Sequence, residues 1–316
     1  MQSILNLGAD VDSRSIVIAC SARSFATLRI ANERKSISAW LRSVPRGSRL
    51  GMESTGTYHE LLAELAAKAG LQVFVINARA LRRYAQSLGR RGKTDRLDGE
   101  VIARYVAREH DDLHAYTAPT KEQRTLACLM KRRAKLVELK AALTQSLRGL
   151  TSMRGDLKAA TSALDGLIAR LEQRIEQTLQ QIPAAPQIAE RIDQIPGFGA
   201  TTSTWLTYSF MRTPYANGDA AVASTGLDPR PDDSGQKQGR RRLSKCGPAL
   251  GRALLFNCAR AGARTKVWQA YYQAQLAKGL SNTAATVILA RKMVRVAFAV
   301  YKQNRPFDPT LLGVKA

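Results

Sequence analysis

A chain of 316 residues is longer than one compact core usually takes, and with 45% hydrophobic residues it has enough apolar material to fill about two domains. Forty-nine Lys and Arg against 25 Asp and Glu leave a formal net charge of +24, which selects a polyanion as partner and puts nucleic acid first. A membrane partner and a secretory leader are not expected: no apolar run reaches about 18 residues, TAATVILARKMVRVAFAVYK being broken by Arg291, Lys292 and Arg295, and MQSILNLGAD has no basic start.

In chain order, ILNLGAD, SIVIAC and ATLRIA read as strands, SISAWLRS as a helix, RLGME as a strand and YHELLAELAAKAG as a helix. LQVFVIN follows as a strand, and ARALRRYAQSL and DRLDGEVIARYVAREH as helices. Three strands followed by alternating helix and strand predict an α/β layer with a mixed sheet over residues 1–115. Beyond residue 115 the pattern changes. Leu129, Leu136, Leu143 and Leu150 recur every seven residues, and after a break at RGD (154–156) Leu157, Leu164 and Leu171 resume the spacing, with Ile168, Ile175 and Ile182 in a second phase. This predicts a long helical hairpin or coiled coil over 116–186, closed by Pro183 and Pro186 because proline cannot continue a helix. Residues 187–316 read as mainly helical, interrupted by STGLDPRPDDSGQKQGRRRLSKCGPALG, which its glycines and prolines mark as a loop. A loop that long within a domain usually carries function. Cys20, Cys128, Cys246 and Cys258 form no CxxC pair, so neither a zinc site nor a disulfide framework is expected.

The first domain's acids suggest chemistry. Asp10 closes the first apolar run, Glu53 closes RLGME, and Asp95 and Asp98 sit at the start of a helix, just after Arg90, Arg91 and Lys93. Two strand ends and one helix face can converge in space, and carboxylate oxygens suit a hard divalent ion such as Mg²⁺. A pair of such ions can activate a nucleophile and stabilise the leaving oxygen of a phosphodiester. The plainer alternative makes Asp95 an N-cap and Asp98 a first-turn acid that complements the helix dipole. Asp12 competes with Asp10, since the two alternate onto one strand face.

GAD at 8, MESTGTY at 52, VINARALRRYAQSLGRRGKTDRLDGEVIARY at 75, IPGFG at 195 and STGLDPRPDDSGQKQGRRRLSKCGPALGRALL at 224, in that order, resemble the DEDD transposases of bacterial insertion sequences, the family of bridge-RNA-guided recombinases. Three positions depart from the family pattern, at Ala9, Asp12 and Gly99, and none removes a carboxylate. The resemblance implies an RNase H/RuvC-like domain holding Mg²⁺ (or Mn²⁺) on Asp10, Glu53, Asp95 and Asp98, with Arg90, Arg91 and Lys93 gripping the strand. It implies a C-terminal transposase domain in which Ser234 attacks DNA, donor and target DNA as substrates, a guide RNA, and a homo-oligomer in which dimers assemble into a tetramer. A nucleoid-associated, cytoplasmic bacterial protein is expected.

Asp-Ser-Gly alone is a turn sequence, and a hydroxyl is a weak nucleophile until a base, metal or cation activates it. Around Ser234, the cations Arg230, Lys237, Arg240, Arg241, Arg242 and Lys245 are placed to hold the scissile phosphate. Ser244, the rival serine, reads as an N-cap before PALGRALLFNCARA. IPGFGATTSTWL resembles a helix-hairpin-helix turn in which Gly197 and Gly199 free backbone N–H groups for a phosphate; a plain glycine-rich helix start reads equally well. The function expected is an RNA-guided recombinase working by serine transesterification. The alternatives are a junction-type nuclease using water with the four acids, and a non-catalytic RNA scaffold.

Overall fold

A computed structural model describes residues 4–22, 26–54, 56–89, 95–230, 233–234, 237–239 and 241–312, with the side chains of 95–97, 233–234 and 237–238 outside the description. The chain forms two compact units, residues 1–118 and 119–316.

In the first unit, β1 (Asn6–Val11), β2 (Ser15–Cys20) and β3 (Leu28–Ala31) form an antiparallel meander. The chain then runs through α1 (Arg34–Leu41), β4 (Arg49–Glu53), α2 (Glu60–Lys68), β5 (Gln72–Ile76), α3 (Ala78–Ser87) and α4 (Asp95–Glu109). The strand order is β3-β2-β1-β4-β5, with β4 parallel to β1 and β5 parallel to β4. The expected mixed sheet with helices is therefore present.

Alternation assigns the two faces of this sheet. Leu7, Ala9, Val11, Ile16, Ile18, Leu50, Met52 and Val73 share a buried cluster with Ile37 and Trp40 of α1 and Leu62 and Ala66 of α2. Phe74 and Ile76, from the opposite face, cluster with Ile102 and Val106 of α4. On that second face β1 and β4 carry glycines where larger residues would obstruct α4. A Cβ on Gly8 would overlap Gly99 O and Ala103 N, and one on Gly51 would overlap the side chains of Val106 and Ile102. Gly99 returns the fit from the helix side, its own Cβ position lying 3.3 Å from Ala19 Cβ and 3.5 Å from the carbonyl oxygens of Gly8 and Val17.

The second unit opens with α5 (Lys121–Ser146) and α6 (Arg154–Gln180). Thr120 and Gln123 form a reciprocal capping box that starts α5. Two cross-pairs set the hairpin register: Arg133 Nη2 lies 2.6 Å from Glu172 Oε1, and Lys140 Nζ lies 2.5 Å from Asp165 Oδ1. Seven residues up one helix match seven down the other, so the helices are antiparallel. The break differs from the expected one. The connection falls at 147–153, where Gly149 takes φ +92°, and RGD lies in the first turn of α6, where Asp156 complements the helix dipole.

The base of this hairpin is buried through Leu126, Met130, Ile175 and Leu179 in one core with the C-terminal helices. Those helices are α7 (Ala185–Asp193), α8 (Ala200–Arg212), α9 (Gly218–Thr225), α10 (Ala249–Gly262), α11 (Lys266–Ala277) and α12 (Asn282–Gln303). Between α9 and α10 lie four two-residue strands, β6 (Pro229–Arg230), β7 (Asp233–Ser234), β8 (Lys237–Gln238) and β9 (Arg242–Leu243). Among the described residues no helix is long and apolar enough to cross a membrane.

Replacing Gly8 with Ala is expected to destabilise the first unit by about 1–3 kcal/mol, the usual cost of overpacking a filled core. A lower urea midpoint at unchanged slope is the measurement that checks this, and a parental midpoint would show that α4 is not seated on Gly8.

Candidate functional site

The seat of α4 positions the carboxylates. Asp10 is two residues beyond Gly8 on β1, and Glu53 is two residues beyond Gly51 on β4, so alternation puts both acids on the α4 face. Both stand at the C-terminal ends of neighbouring parallel strands, and both are half-buried. Asp10 is paired in register with Val17, whose carbonyl oxygen is one of the atoms under Gly99. Asp98, also half-buried, immediately precedes Gly99 in the first turn of α4. The backbone thus brings Asp10, Glu53 and the start of α4 to one corner of the sheet. Asp95 is the first residue of α4 rather than a flanking cap, and its side chain lies outside the described residues. Arg90, Arg91 and Lys93 also lie outside them. Among the described side chains no group of three or more His, Cys, Asp or Glu is close enough to hold a metal ion. The donor set is nonetheless all hard carboxylate oxygen, which suits Mg²⁺ or Mn²⁺ rather than a softer metal.

Asp12 is placed differently from Asp10. It lies past the end of β1, is exposed, and its Oδ1 accepts a 2.6 Å hydrogen bond from Ser13 N–H in the β1–β2 turn. The next supporting residue, Asn32, was not evident from sequence. Its Nδ2 donates to Asp12 O at 2.9 Å and to Tyr58 O at 3.1 Å, tying the β1–β2 turn to the loop after Glu53. A lone Asn after a strand gives no sequence signal beyond a turn preference.

In the second unit, the segment between α9 and α10 is a ribbon rather than an unstructured loop. β6 and β9 pair antiparallel, with Arg230 opposite Arg242, and β7 and β8 pair with Ser234 opposite Lys237. Ser234 and Lys237 are described by backbone alone, and Arg240 lies outside the described residues. Arg230, Arg241, Arg242 and Lys245 are all exposed. These four described cations therefore present charge to solvent. Ser244 corrects the expectation of an N-cap. The N-cap of α10 is Pro248, with no side-chain cap, while Ser244 is 7% exposed and donates its hydroxyl to Asp228 Oδ1.

The IPGFG turn joins α7 to α8 and its two glycines do different work. Gly197 takes φ +96°, and a Cβ there would lie 2.7 Å from Gly262 Cα and 2.8 Å from Cys258 O, so this residue must be glycine for packing on α10. Trp268 Nε1 holds the turn through a 2.8 Å hydrogen bond to Pro196 O. Gly199 is the N-cap of α8 and has open space around its Cβ position. The turn borders a cavity of about 500 Å³ lined also by Glu172, Glu176, Thr202 and Cys258. Two carboxylates in that lining oppose the helix dipole's attraction for an anion. Cys258 is buried and hydrogen-bonded to Thr202 at 3.0 Å, and burial pushes its thiol pKa up, which keeps it protonated and unreactive.

A sheet that carries acids on adjacent strand ends, and a separate helical unit with a serine ribbon edged by arginines, define a DNA transposase or recombinase class. Residues 7–153 match a DEDD-type IS110 family model described as transposase, and residues 189–273 match the model of the transposase IS116/IS110/IS902 family. The chain belongs to the IS110 family of transposases and is an enzyme of the transposase/site-specific recombinase type. It is 27% identical to the transposase for insertion sequence element IS1328 of Yersinia enterocolitica, covering 98% of this chain and all of that one. It is 28% identical to the pilin gene-inverting protein of Moraxella bovis over 81% of each chain.

Mn²⁺ binding followed by electron paramagnetic resonance separates the two candidate aspartates. Asp10→Asn is expected to weaken binding by at least roughly tenfold, since even loss of a supporting partner costs that much. Asp12→Asn is expected to leave binding unchanged. The reverse order would move the site to the turn.

Proposed function

We propose that the protein is an RNA-guided DNA recombinase of an insertion sequence, exchanging strands by serine transesterification at Ser234. The observation that carries this reading is the ribbon: a nuclease using water needs the acids alone and has no use for a serine on a segment that also carries the exposed Arg230, Arg241 and Arg242. The attacking Oγ forms a bond to phosphorus as a phosphorus–oxygen bond to the sugar breaks. The serine proton departs to solvent or a base, and the leaving sugar oxygen takes up a proton. The number of phosphodiester bonds is conserved, so a second DNA end can reverse the step on a new strand without ATP. Arg230, Arg242 and Lys245 hold the phosphate and offset the charge that develops on it, which also lowers the cost of ionising the hydroxyl.

Asp10, Glu53, Asp95 and Asp98 would hold Mg²⁺ or Mn²⁺, which when bound supplies Lewis-acid stabilisation of phosphate charge. The strand order β3-β2-β1-β4-β5, with its antiparallel meander and parallel remainder, supports an RNase H/RuvC-like reading of the first unit. The seven-residue spacing of Leu129, Leu136 and Leu143 and the seven-residue step between cross-pairs support a coiled-coil reading of the hairpin. A chain of charge +24 with only 6% aromatic residues suits backbone gripping, with sequence choice left to base pairing by a guide RNA. Donor and target DNA are the substrates, and dimers assembling into a tetramer would supply the several serines that exchange requires.

Quenching a reaction with denaturant is expected to leave DNA covalently attached at residue 234. Ser234→Ala is expected to abolish the adduct while DNA affinity stays within about a factor of two, since no charge is lost. Strand cleavage with no trapped adduct would favour the water-using nuclease, and an adduct at Ser244 would reassign the nucleophile. Sequencing of nucleic acid that copurifies with the protein is expected to return one discrete noncoding RNA; random RNA would count against guidance.

A further inference from the structure

The root of the serine ribbon is held by a set of contacts unlike an ordinary turn. Its two legs are brought together by glycines: Gly226 takes φ +73° at the end of α9, and a Cβ there would lie 2.8 Å from Cys246 N and 2.9 Å from Lys245 Cα. A Cβ on Gly247 would overlap Ser224 O and the Thr225 carbonyl. Across this close approach Lys245 N donates to Gly226 O at 3.1 Å and Ser244 N donates to Asp228 O at 2.9 Å. The Ser244 hydroxyl donates to Asp228 Oδ1, and Ser244 Oγ accepts from Cys246 N–H at 3.2 Å. Lys245 adopts φ +52°, an uncommon conformation for a side chain of its kind and one that must be held by its surroundings. Arg252 of α10 closes the set. Its Nη1 donates to Gly247 O at 2.5 Å and approaches Thr225 O and Lys245 O at 3.4 Å each, so one guanidinium spans both legs and anchors them to a 14-residue helix.

We propose that Asp228, Ser244 and Arg252 form a clasp that fixes the direction in which the ribbon projects Ser234, and that they are positioning residues for its attack. The proposal rests on the reading of Ser234 as nucleophile. A two-residue ladder such as β6–β9 cannot hold a direction by itself, because isolated ribbons are marginally stable. Ser234, four residues beyond Arg230, belongs to a second two-residue ladder, β7–β8, so its placement depends on how firmly the root is held. A hydroxyl–carboxylate bond between a buried serine and a half-buried aspartate is a more rigid choice at the root than a fully solvated turn, since loss of the carboxylate takes a partner from an enclosed hydroxyl. The arrangement also explains why a serine outside any helix cap is buried beside an aspartate in a segment otherwise edged with exposed bases.

The test compares Ser244→Ala, Asp228→Ala, the double variant and Ser244→Thr by three measurements: amide exchange across residues 226–247 in free protein, DNA affinity, and the rate of covalent adduct formation at saturating DNA. Ser244→Ala is expected to slow adduct formation by about a hundredfold, the effect of displacing a reacting group by an ångström, while affinity holds. Amide exchange in the ribbon is expected to rise. Asp228→Ala is expected to match it, the double variant to be no worse than either single one because the pair acts together, and Ser244→Thr to recover most of the rate. A parental adduct rate in Ser244→Ala, additive losses, or unchanged exchange in the ribbon each overturns the clasp. Should Ser244→Ala not fold, Arg252→Lys carries the test, since it keeps the charge and removes the fork; a parental rate there overturns the proposal equally. If the parental protein traps no adduct, the nucleophile reading fails, while the exchange measurement still decides the clasp.

Discussion

The close approach of α4 to the sheet is the constraint on which the first unit depends. A helix normally stands about 10 Å off a sheet because side chains fill the gap. Here Gly8, Gly51 and Gly99 remove side chains from both surfaces along the crossing, so the backbone of α4 rests directly on β1. Lowering the helix has a chemical consequence. The acids next to these glycines, Asp10, Glu53 and Asp98, are drawn toward one corner because each is one or two residues from a contact that cannot be relaxed without opening the core. Like charges on one helix turn repel by a few tenths of a kcal/mol in isolation, and a divalent ion reverses the sign of that interaction. The packing therefore fixes the backbone positions of these carboxylates, and the stability of the core sustains them.

The second unit solves a different problem with the same residue type. Gly226 and Gly247 let two chain segments touch backbone to backbone, and the polar groups so enclosed are satisfied locally by Asp228, Ser244 and Arg252. Enclosure without these partners would leave carbonyls buried and unpaired, which costs more than a single hydrogen bond gains. Arg230, Arg241 and Arg242, outside that close approach, are exposed. Rigidity at the root and charge at the rim are thus separated along one short segment.

Much of this was legible in sequence, for definite reasons. The strands and helices of the first unit follow from period-two and period-3.6 patterns, because the sheet is covered on both faces and each element has a buried side. The hairpin follows from leucines at seven-residue spacing, but its turn was misplaced. RGD combines a glycine with charged residues and looks like a break, whereas Gly155 is tolerated inside α6 and the left-handed Gly149 does the turning. The glycines of the site were visible and their roles were not. Gly8 is required for packing, Gly197 for both conformation and packing, and Gly199 for neither, a distinction set by what lies within 4 Å in space. Ser244 was misread for the same reason: a serine a few residues before a helix fits a cap by spacing, but its partner, Asp228, is 16 residues away. Arg252 carries no sequence signal of its own, and its structural work is done through carbonyl oxygens that no composition records.

Charge distribution joins the two units. With 25 acids against 49 bases, cations far outnumber carboxylates in this chain, so where an acid goes is informative. Glu172 and Asp165 of α6 are committed to Arg133 and Lys140 of α5, and Asp219 to Arg295 at 2.6 Å. Pairs this exposed contribute little stability each. Their value lies in relieving repulsion between helices rich in bases and in selecting one register from those a leucine repeat would allow. Asp10, Glu53 and Asp98 lie instead near the ends of elements that meet at one corner of the sheet. The described bases of the serine ribbon, Arg230, Arg241, Arg242 and Lys245, are exposed, and a polyanion is what such a field is able to bind. Exposed bases on a chain with so large an excess of positive charge are the electrostatic signature of a protein that acts on a phosphate backbone.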